Sequence, residues 1–296
     1  YLKEFENNNG QLISNLRLEK IILNKNQIDR ILCYDYIKKE FIEIKSDFFF
    51  LCCGSIQTPH ILKKNNLIYQ NLETKFHCNL RFLTIFDEKI KSNEESFASH
   101  EINEFQEDGL MIIPSDYSLK YISTAISSFS NSSIKKFLDY EEYGGLYVAQ
   151  IRLKSKIKIK SLSFLKEPLL TNYLTNEDKE LIRFSIDKII NLLFESGAKE
   201  VYLPFSDNNI IDYKNRNLNI NKLNFNKINM ISVHLMSSLP MFESSLVNDS
   251  GKFNALSNLF IADASILPDN IGQSPQGTIM LFANEIANRF LENYAK

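Results

Sequence analysis

Asn258-Leu259-Phe260-Ile261-Ala262-Asp263-Ala264-Ser265, continuing through Pro268, Gly272, Ser274-Pro275 and Thr278-Ile279-Met280, is the stretch on which the fold of this chain turns. Leu259–Ala262 is a short apolar run of the kind that forms a buried strand. Asp263–Gly272 carries the Asp, Pro and Gly of a loop. Ser274-Pro275 then opens a helix running nearly to the chain end, with Ile279, Phe282, Ala283, Ile286 and Phe290 on its apolar face. A position just after such a strand is where an open parallel sheet binds ligands.

A similar passage lies far upstream. Asp47-Phe48-Phe49-Phe50-Leu51-Cys52-Cys53-Gly54 is a continuous apolar run ending at glycine, which predicts a strand buried on both faces. A helix is expected over Thr58–Lys64, with Pro59 in its first turn. Before it, Leu16–Leu23 and Gln27–Tyr36 flank the turn Asn24-Lys25-Asn26, and Phe41, Ile42 and Ile44 follow a second turn at Lys38-Lys39; these read as an antiparallel meander.

The texture changes near residue 76. Leu80–Phe86, Leu110–Pro114 and Val201–Leu203 read as strands, and Gly145–Ile159 as a long β-type stretch whose later part alternates Lys with Ile. The longest helix is expected from Thr175 to about Glu195, with Thr175 as cap, Asp178 completing a box-like start and Gly197 closing it. Ile182, Ile186, Ile189, Ile190 and Leu193 share one face of it.

Of the 296 residues, 44% are hydrophobic and 24% charged, and the net charge is −2. That composition supports a packed core and favours neither nucleic acid nor an anionic membrane surface. The basic alternation Lys154–Lys160 reads as the wet face of a strand. No run reaches the roughly 18 apolar residues of a membrane span. Cys33, Cys52, Cys53 and Cys78 lack metal-ligand spacing, so buried reduced thiols and a cytoplasmic protein are expected, with no metal site.

Three passages together resemble the glucose–methanol–choline oxidoreductases: Leu51–Pro59, Ser232-Val233-His234-Leu235-Met236, and the 258–280 signature. Tyr173-Leu174-Thr175 ahead of the long helix is similar to the substrate domain of that family. The resemblance implies an α/β fold in two parts. One is a discontinuous, Rossmann-like FAD-binding domain, present only in part, over 1–75 and 246–296. The other is an α+β substrate domain with a mostly antiparallel sheet, over 76–245. None of the nine glycines has the Gly-x-Gly-x-x-Gly spacing of a pyrophosphate-binding turn. The chain opens on Tyr1, and the N-terminal FAD-binding segment is expected upstream of it or on a partner chain.

The resemblance implies an FAD-dependent enzyme that oxidises the CH–OH group of a small-molecule alcohol, its flavin being reoxidised by dioxygen or another carrier. His234 is the expected base, because an imidazole titrates near neutral pH; the plain alternative is a core histidine bonded to a backbone carbonyl. Ser274 stands where many members have Asn or His. Its hydroxyl can bond a substrate but cannot act as a base, and it also suits an N-cap. Gly54, Ser55, Asp263, Ala264, Ser274, Pro275, Gln276 and Thr278 are the expected cofactor-binding residues, with Asp263 and Ala264 near the ribityl-phosphate and the 274–276 helix start near the flavin pyrimidine. For Asp263 a loop cap is the competing role. Ser237 departs from the glycine common in the family. His77, Cys78, His60 and His100 carry little functional weight in this reading. Two other functions stay open: a catalytically silent flavin-fold or partner-completing subunit, and a non-oxidative member such as a lyase.

Overall fold

The computed structural model describes residues 1–90, 100–127, 129–162, 165–206, 210–215, 219–243 and 246–294. The expected change of domain at 245/246 thus has its first side outside the described residues. After a short helix α1 (Leu2–Asn7), strands β1 (Leu16–Asn24), β2 (Gln27–Asp35) and β3 (Glu40–Ile44) form the three-stranded antiparallel meander. Lys25 and Lys39 take the positive φ that its tight turns demand, at 57° and 58°.

Strand β4 (Phe49–Leu51) leads into helix α2 (Gly54–Lys64). More than two hundred residues later, β13 (Leu259–Ile261) pairs parallel with β4 and leads through a loop into helix α6 (Gln276–Tyr294). Each strand therefore hands the chain to a helix whose N-terminus lies beyond the strand's C-terminal end. Two expectations change here. Helix α2 starts at Gly54, which puts Pro59 in its second turn, where the ring removes one i→i−4 hydrogen bond. Strand β4 is buried only at Leu51; Phe50 is 41% exposed and stacks on Phe260 at 5.1 Å. The pair has just two strands, so its outer face is covered by the aromatic side chains of Phe48, Phe260, Phe290 and Tyr294 rather than by more sheet.

Between these halves lies a larger sheet in the order β11 (Ile210–Asp212), β10 (Ala198–Tyr202), β5 (Leu72–Phe86), β7 (Gly144–Arg152), β6 (Leu110–Pro114). All its pairings are antiparallel. Helices α3 (Leu119–Ile126) and α4 (Asn131–Leu138) come before β7, and β8 (Ile157–Lys160) and β9 (Leu169–Thr171) follow it. The expected Gly145–Ile159 strand is broken in two. The carboxylate of Asp178 takes the Lys154 and Ser155 amides at 2.7 and 3.1 Å and turns the chain there. The same carboxylate closes the capping box of α5 (Asn176–Glu195) with Thr175, and Gly197 ends that helix at φ +92°. Strand β12 (Leu235–Met236) lies along the first half of β5.

The two largest hydrophobic cores among the described residues frame the site. In one, the even-numbered side of β5 (Phe76, Cys78, Leu80 and Phe82) packs on Ile182, Ile186, Ile189 and Ile190 of α5. The other gathers Ile21, Leu51, Leu62, Phe253, Ile261 and Ile286 from both chain ends, together with Leu72. Strand β5, 15 residues long rather than the seven expected, contributes to both. Among the described residues no helix is long and apolar enough to cross a membrane.

Candidate active site

His234 immediately precedes β12, which pairs antiparallel with β5 so that Leu235 faces Phe76. That register sets His234 opposite His77. Their rings meet edge to face with centroids 4.9 Å apart, and Nδ1 of His234 lies 2.9 Å from Nε2 of His77. The strap is fixed on both sides. Asn79 and Ile231 exchange backbone hydrogen bonds of 2.7 and 3.2 Å, and the Ser232 hydroxyl donates to the His77 carbonyl at 2.9 Å.

His77 is fully buried, and burial, helped by the neighbouring imidazole, pulls its pKa down to about 4. Burial also lowers His234, which is only partly covered. Both rings are therefore neutral at neutral pH. A contact between two neutral imidazoles needs one N–H and one lone pair. If Nδ1 of His234 donates, its Nε2 keeps the lone pair that a base requires.

His234 stands between two cavities. The first, about 800 Å³, is lined by Gly54 and Ser55 at the start of α2, by Ala264, and by Ser274, Pro275 and Gln276 at the start of α6. Of the expected cofactor residues, only Asp263 and Thr278 are not in its wall. Gly54 adopts φ +82°, and a Cβ built there would meet nothing within 4 Å. Ser55 donates its hydroxyl to the Leu235 carbonyl at 2.9 Å and so ties α2 to the histidine strap. Two helix N-termini open on this one space, and that of α2 already has its Gly54 amide bonded to Asp263.

Asp263 is buried, and its carboxylate accepts from the Gly54 amide at 2.9 Å, the Ser265 amide at 2.8 Å and the Thr58 hydroxyl. Geometry gives it the role of a cap that pins α2 to the loop. The start of α6 is displaced by one residue from expectation. Pro275 occupies the cap position, its carbonyl taking the Ile279 amide at 2.8 Å, and Ser274 lies outside the helix with an exposed side chain. Ser274 is thus not the N-cap, and Pro275 is not the first helical residue.

The second cavity, about 860 Å³, lies across His234 and Ser274 and extends under Gln276 and Thr278 of α6. Its floor is the odd-numbered face of β5 with β7 and β6: Asn79, Arg81, Gln150, Val148, Met111 and Ile113.

The sequence reading gives His77 little functional weight and does not single out Asn79 or Arg81. The signal was present: Phe76-His77-Cys78-Asn79-Leu80-Arg81-Phe82 alternates apolar and polar residues strictly, and a strand begun at 72 rather than 80 would have placed the three on one face. Cys33 and Cys78 are buried, but Cys52 and Cys53 are exposed, because β4 ends at Leu51 and they fall in the turn to α2. Covering of the Cys52 sulfur and the nearby Asp263 carboxylate push that thiol up to about 11, so it stays protonated. His60 uses both ring nitrogens structurally, on the Ser161 hydroxyl at 2.8 Å and the Lys166 carbonyl at 3.1 Å. Among the described residues no group of three His, Cys, Asp or Glu side chains is placed to hold a metal.

Comparison with known proteins agrees with this architecture. Residues 153–283 match the C-terminal family model of the GMC oxidoreductases. An uncharacterised GMC-type oxidoreductase of Sinorhizobium fredii is 24% identical over 274 residues, which is 86% of this chain and 51% of that protein. A long-chain-alcohol oxidase of Arabidopsis thaliana is 20% identical over 99% of this chain and 43% of its own length. Among solved structures, an FAD-dependent oxidoreductase from Chaetomium thermophilum superposes with a TM-score of 0.67 at 14% identity, covering 100% of this chain and 64% of the other. Pyridoxine 4-oxidase from Mesorbium loti gives 0.64 at 14%, over 94% and 57%. The chain spans about half the length of the curated relatives it matches. With its divided parallel strand pair, its inserted antiparallel sheet and its match over 153–283, the chain is similar to the C-terminal portion of the glucose–methanol–choline oxidoreductases.

Proposed function

We propose that the protein to which this chain belongs is an FAD-dependent oxidase or dehydrogenase that oxidises an alcohol, with His234 as the base. The observation that carries this reading is the setting of His234: held through Nδ1 by a buried partner and lining two cavities at once. The first cavity suits a flavin. It offers helix N-termini, a side-chain-free approach at Gly54 and few ionisable groups, which matches a cofactor rich in carbonyls and phosphate. FAD bound there would supply the acceptor for a hydride.

Gly54, Ser55, Ala264, Pro275 and Gln276 would hold it, and Thr278 would close the far side of the helix start. Asp263 would act indirectly, by keeping α2 in place. The substrate hydroxyl would give its proton to Nε2 of His234. The imidazolium so formed is steadied by its hydrogen bond to the neutral His77, since bonds to a charged partner are roughly twice as strong as neutral ones. Ser274 can hydrogen-bond the substrate oxygen but takes no proton. The start of α6 adds a favourable field for negative charge, worth about 0.3–1 kcal/mol in exposed settings and up to ~2 kcal/mol when partly buried. A cofactor domain (1–75 and 246–296) and a substrate domain (76–245) would be built largely around these two cores, with β5 shared between them and Ile159, Leu239 and Met241 crossing into the cofactor side. The flavin would be reoxidised by dioxygen or a carrier.

The test is anaerobic flavin reduction by an alcohol panel in the full-length protein. His234→Ala is expected to slow reduction by about 10²–10⁴-fold while leaving flavin content near wild type. Equal loss of rate and flavin would remove the assignment. A flavin that no alcohol bleaches would favour a silent or non-oxidative member instead.

A further inference from the structure

The floor of the second cavity carries a charge that the reading above does not use. The antiparallel register sets three rows across the sheet. His77 on β5 marks the first, beneath His234. Asn79 faces Gln150, which faces Met111, in the second. Arg81 faces Val148, which faces Ile113, in the third. Successive rows along β5 are about 7 Å apart. The β5 edge of the floor is therefore polar, and the β6 edge is aliphatic.

Arg81 is partly buried. Its guanidinium donates to the Thr124 hydroxyl and lies 5.9 Å from the centre of the Tyr121 ring, and among the described residues no carboxylate pairs with it. Burial lowers its pKa, offset in part by the nearby Tyr121 phenol. Glu101 also lines the cavity, but it is exposed and sits beside Ile102, which bridges β6 two strands away from β5. Asn79 and Gln150 are both more than nine-tenths buried. In each the carbonyl oxygen is sealed from solvent and has no donor, so these side chains have hydrogen-bonding capacity that the fold does not use. Arg81 thus offers N–H donors on one side of the floor beside two buried amides, and among the described residues it has no carboxylate partner.

We infer that this floor is a carboxylate-binding subsite, and that the physiological alcohol is a hydroxy acid whose carboxylate is held by Arg81 with Asn79 and Gln150 while its hydroxyl lies at His234. A planar guanidinium binds a carboxylate through paired N–H donors, which suits Arg better than any other side chain to this task. Met111, Ile113 and Val148 cover the carbon chain between the two ends. The inference rests on the proposed alcohol oxidation, but it is separable from it.

The experiment compares ω-hydroxy acids of three to eight carbons with the n-alkanols of equal length, as reductants of the full-length holoenzyme under anaerobic conditions. At one chain length or more the acid is expected to be preferred by roughly 10- to 100-fold in the reduction rate constant over Kd, the range of a charge-assisted hydrogen bond. Arg81→Gln should bring that ratio close to one. Preference for the alkanol at every length, or an acid-to-alkanol ratio unchanged in Arg81→Gln, overturns the subsite. If nothing reduces the flavin, alcohol oxidation fails on its own, and calorimetric titration with butyrate and hexanoate still decides the subsite. Binding that Arg81→Gln weakens at least tenfold supports it; no binding, or equal binding by both proteins, overturns it.

Discussion

The two cavities that meet at His234 are made of different material. The first is walled by backbone: two helix starts, a glycine at positive φ and a proline at a cap position. The second is floored by side chains at alternate positions of three strands, polar on β5 and aliphatic on β6. A site built from backbone constrains its residues by conformation, so its glycine, proline and capping aspartate stand out in a single chain. A site built from side chains on a sheet can change its chemistry without touching the fold. The first arrangement suits a constant partner and the second a variable one.

The contrast can be broken most sharply at Asp263. Asp263→Ala removes the acceptor of the Gly54 and Ser265 amides and the Thr58 hydroxyl, and should cost about 3 kcal/mol in urea unfolding. Flavin content should fall with it. If stability and flavin both hold, the first wall does not depend on that pin.

Acid should act beneath His234, at the buried His77. The pKa of His77 is about 4 in the folded chain, against an ordinary value of 6.5. Between those values the unfolded chain binds more protons, so the stabilising contribution is complete above pH 6.5 and is lost as pH falls toward 4. From pH 7 to pH 5 this group alone should remove about 2 kcal/mol. His60 and His234, also lowered by burial, act in the same direction. His77→Phe should flatten the pH dependence of the urea midpoint; an unchanged slope would deny that His77 is buried and neutral.

Smaller effects separate the walls further. Gly54→Ala forces an L-residue to φ +82° at roughly 1–2 kcal/mol, with no steric clash. It should weaken flavin binding up to about tenfold and leave the pH profile of reduction alone. Ser237 already sits at φ +62°, a conformation that favours glycine. Ser237→Gly should relieve that strain, offset in part by the greater freedom of unfolded glycine, and raise stability by about 0.5 kcal/mol. A loss of stability would show that the serine side chain is needed where it is.

The same contrast explains what could be read from the chain. The 258–280 signature, the meander, the capping box at Thr175 and the terminator Gly197 were legible, because each depends on a few neighbouring residues. His77 was not. Its partner lies 157 positions away, and only the pairing of Leu235 with Phe76 brings them together. Cys52 and Cys53 were misread for a related reason: an apolar run does not mark where a strand stops, and β4 stops one residue before them. Arg81 lay inside the expected strand Leu80–Phe86, but nothing local told which face was a cavity.

Strand β5 touches both cores, pairs with the histidine strap and supplies the polar edge of the cavity floor. Its residue count is therefore a kind of reading frame. Deleting or adding one residue between Leu72 and His77 would turn Phe76 or Cys78 beneath the imidazole and drive His77, Asn79 and Arg81 into the packing against α5. Two residues would restore the face but shift every row by one. Length changes in this protein should thus collect in the connections between strands and spare Leu72–Phe86, however freely its individual side chains are exchanged.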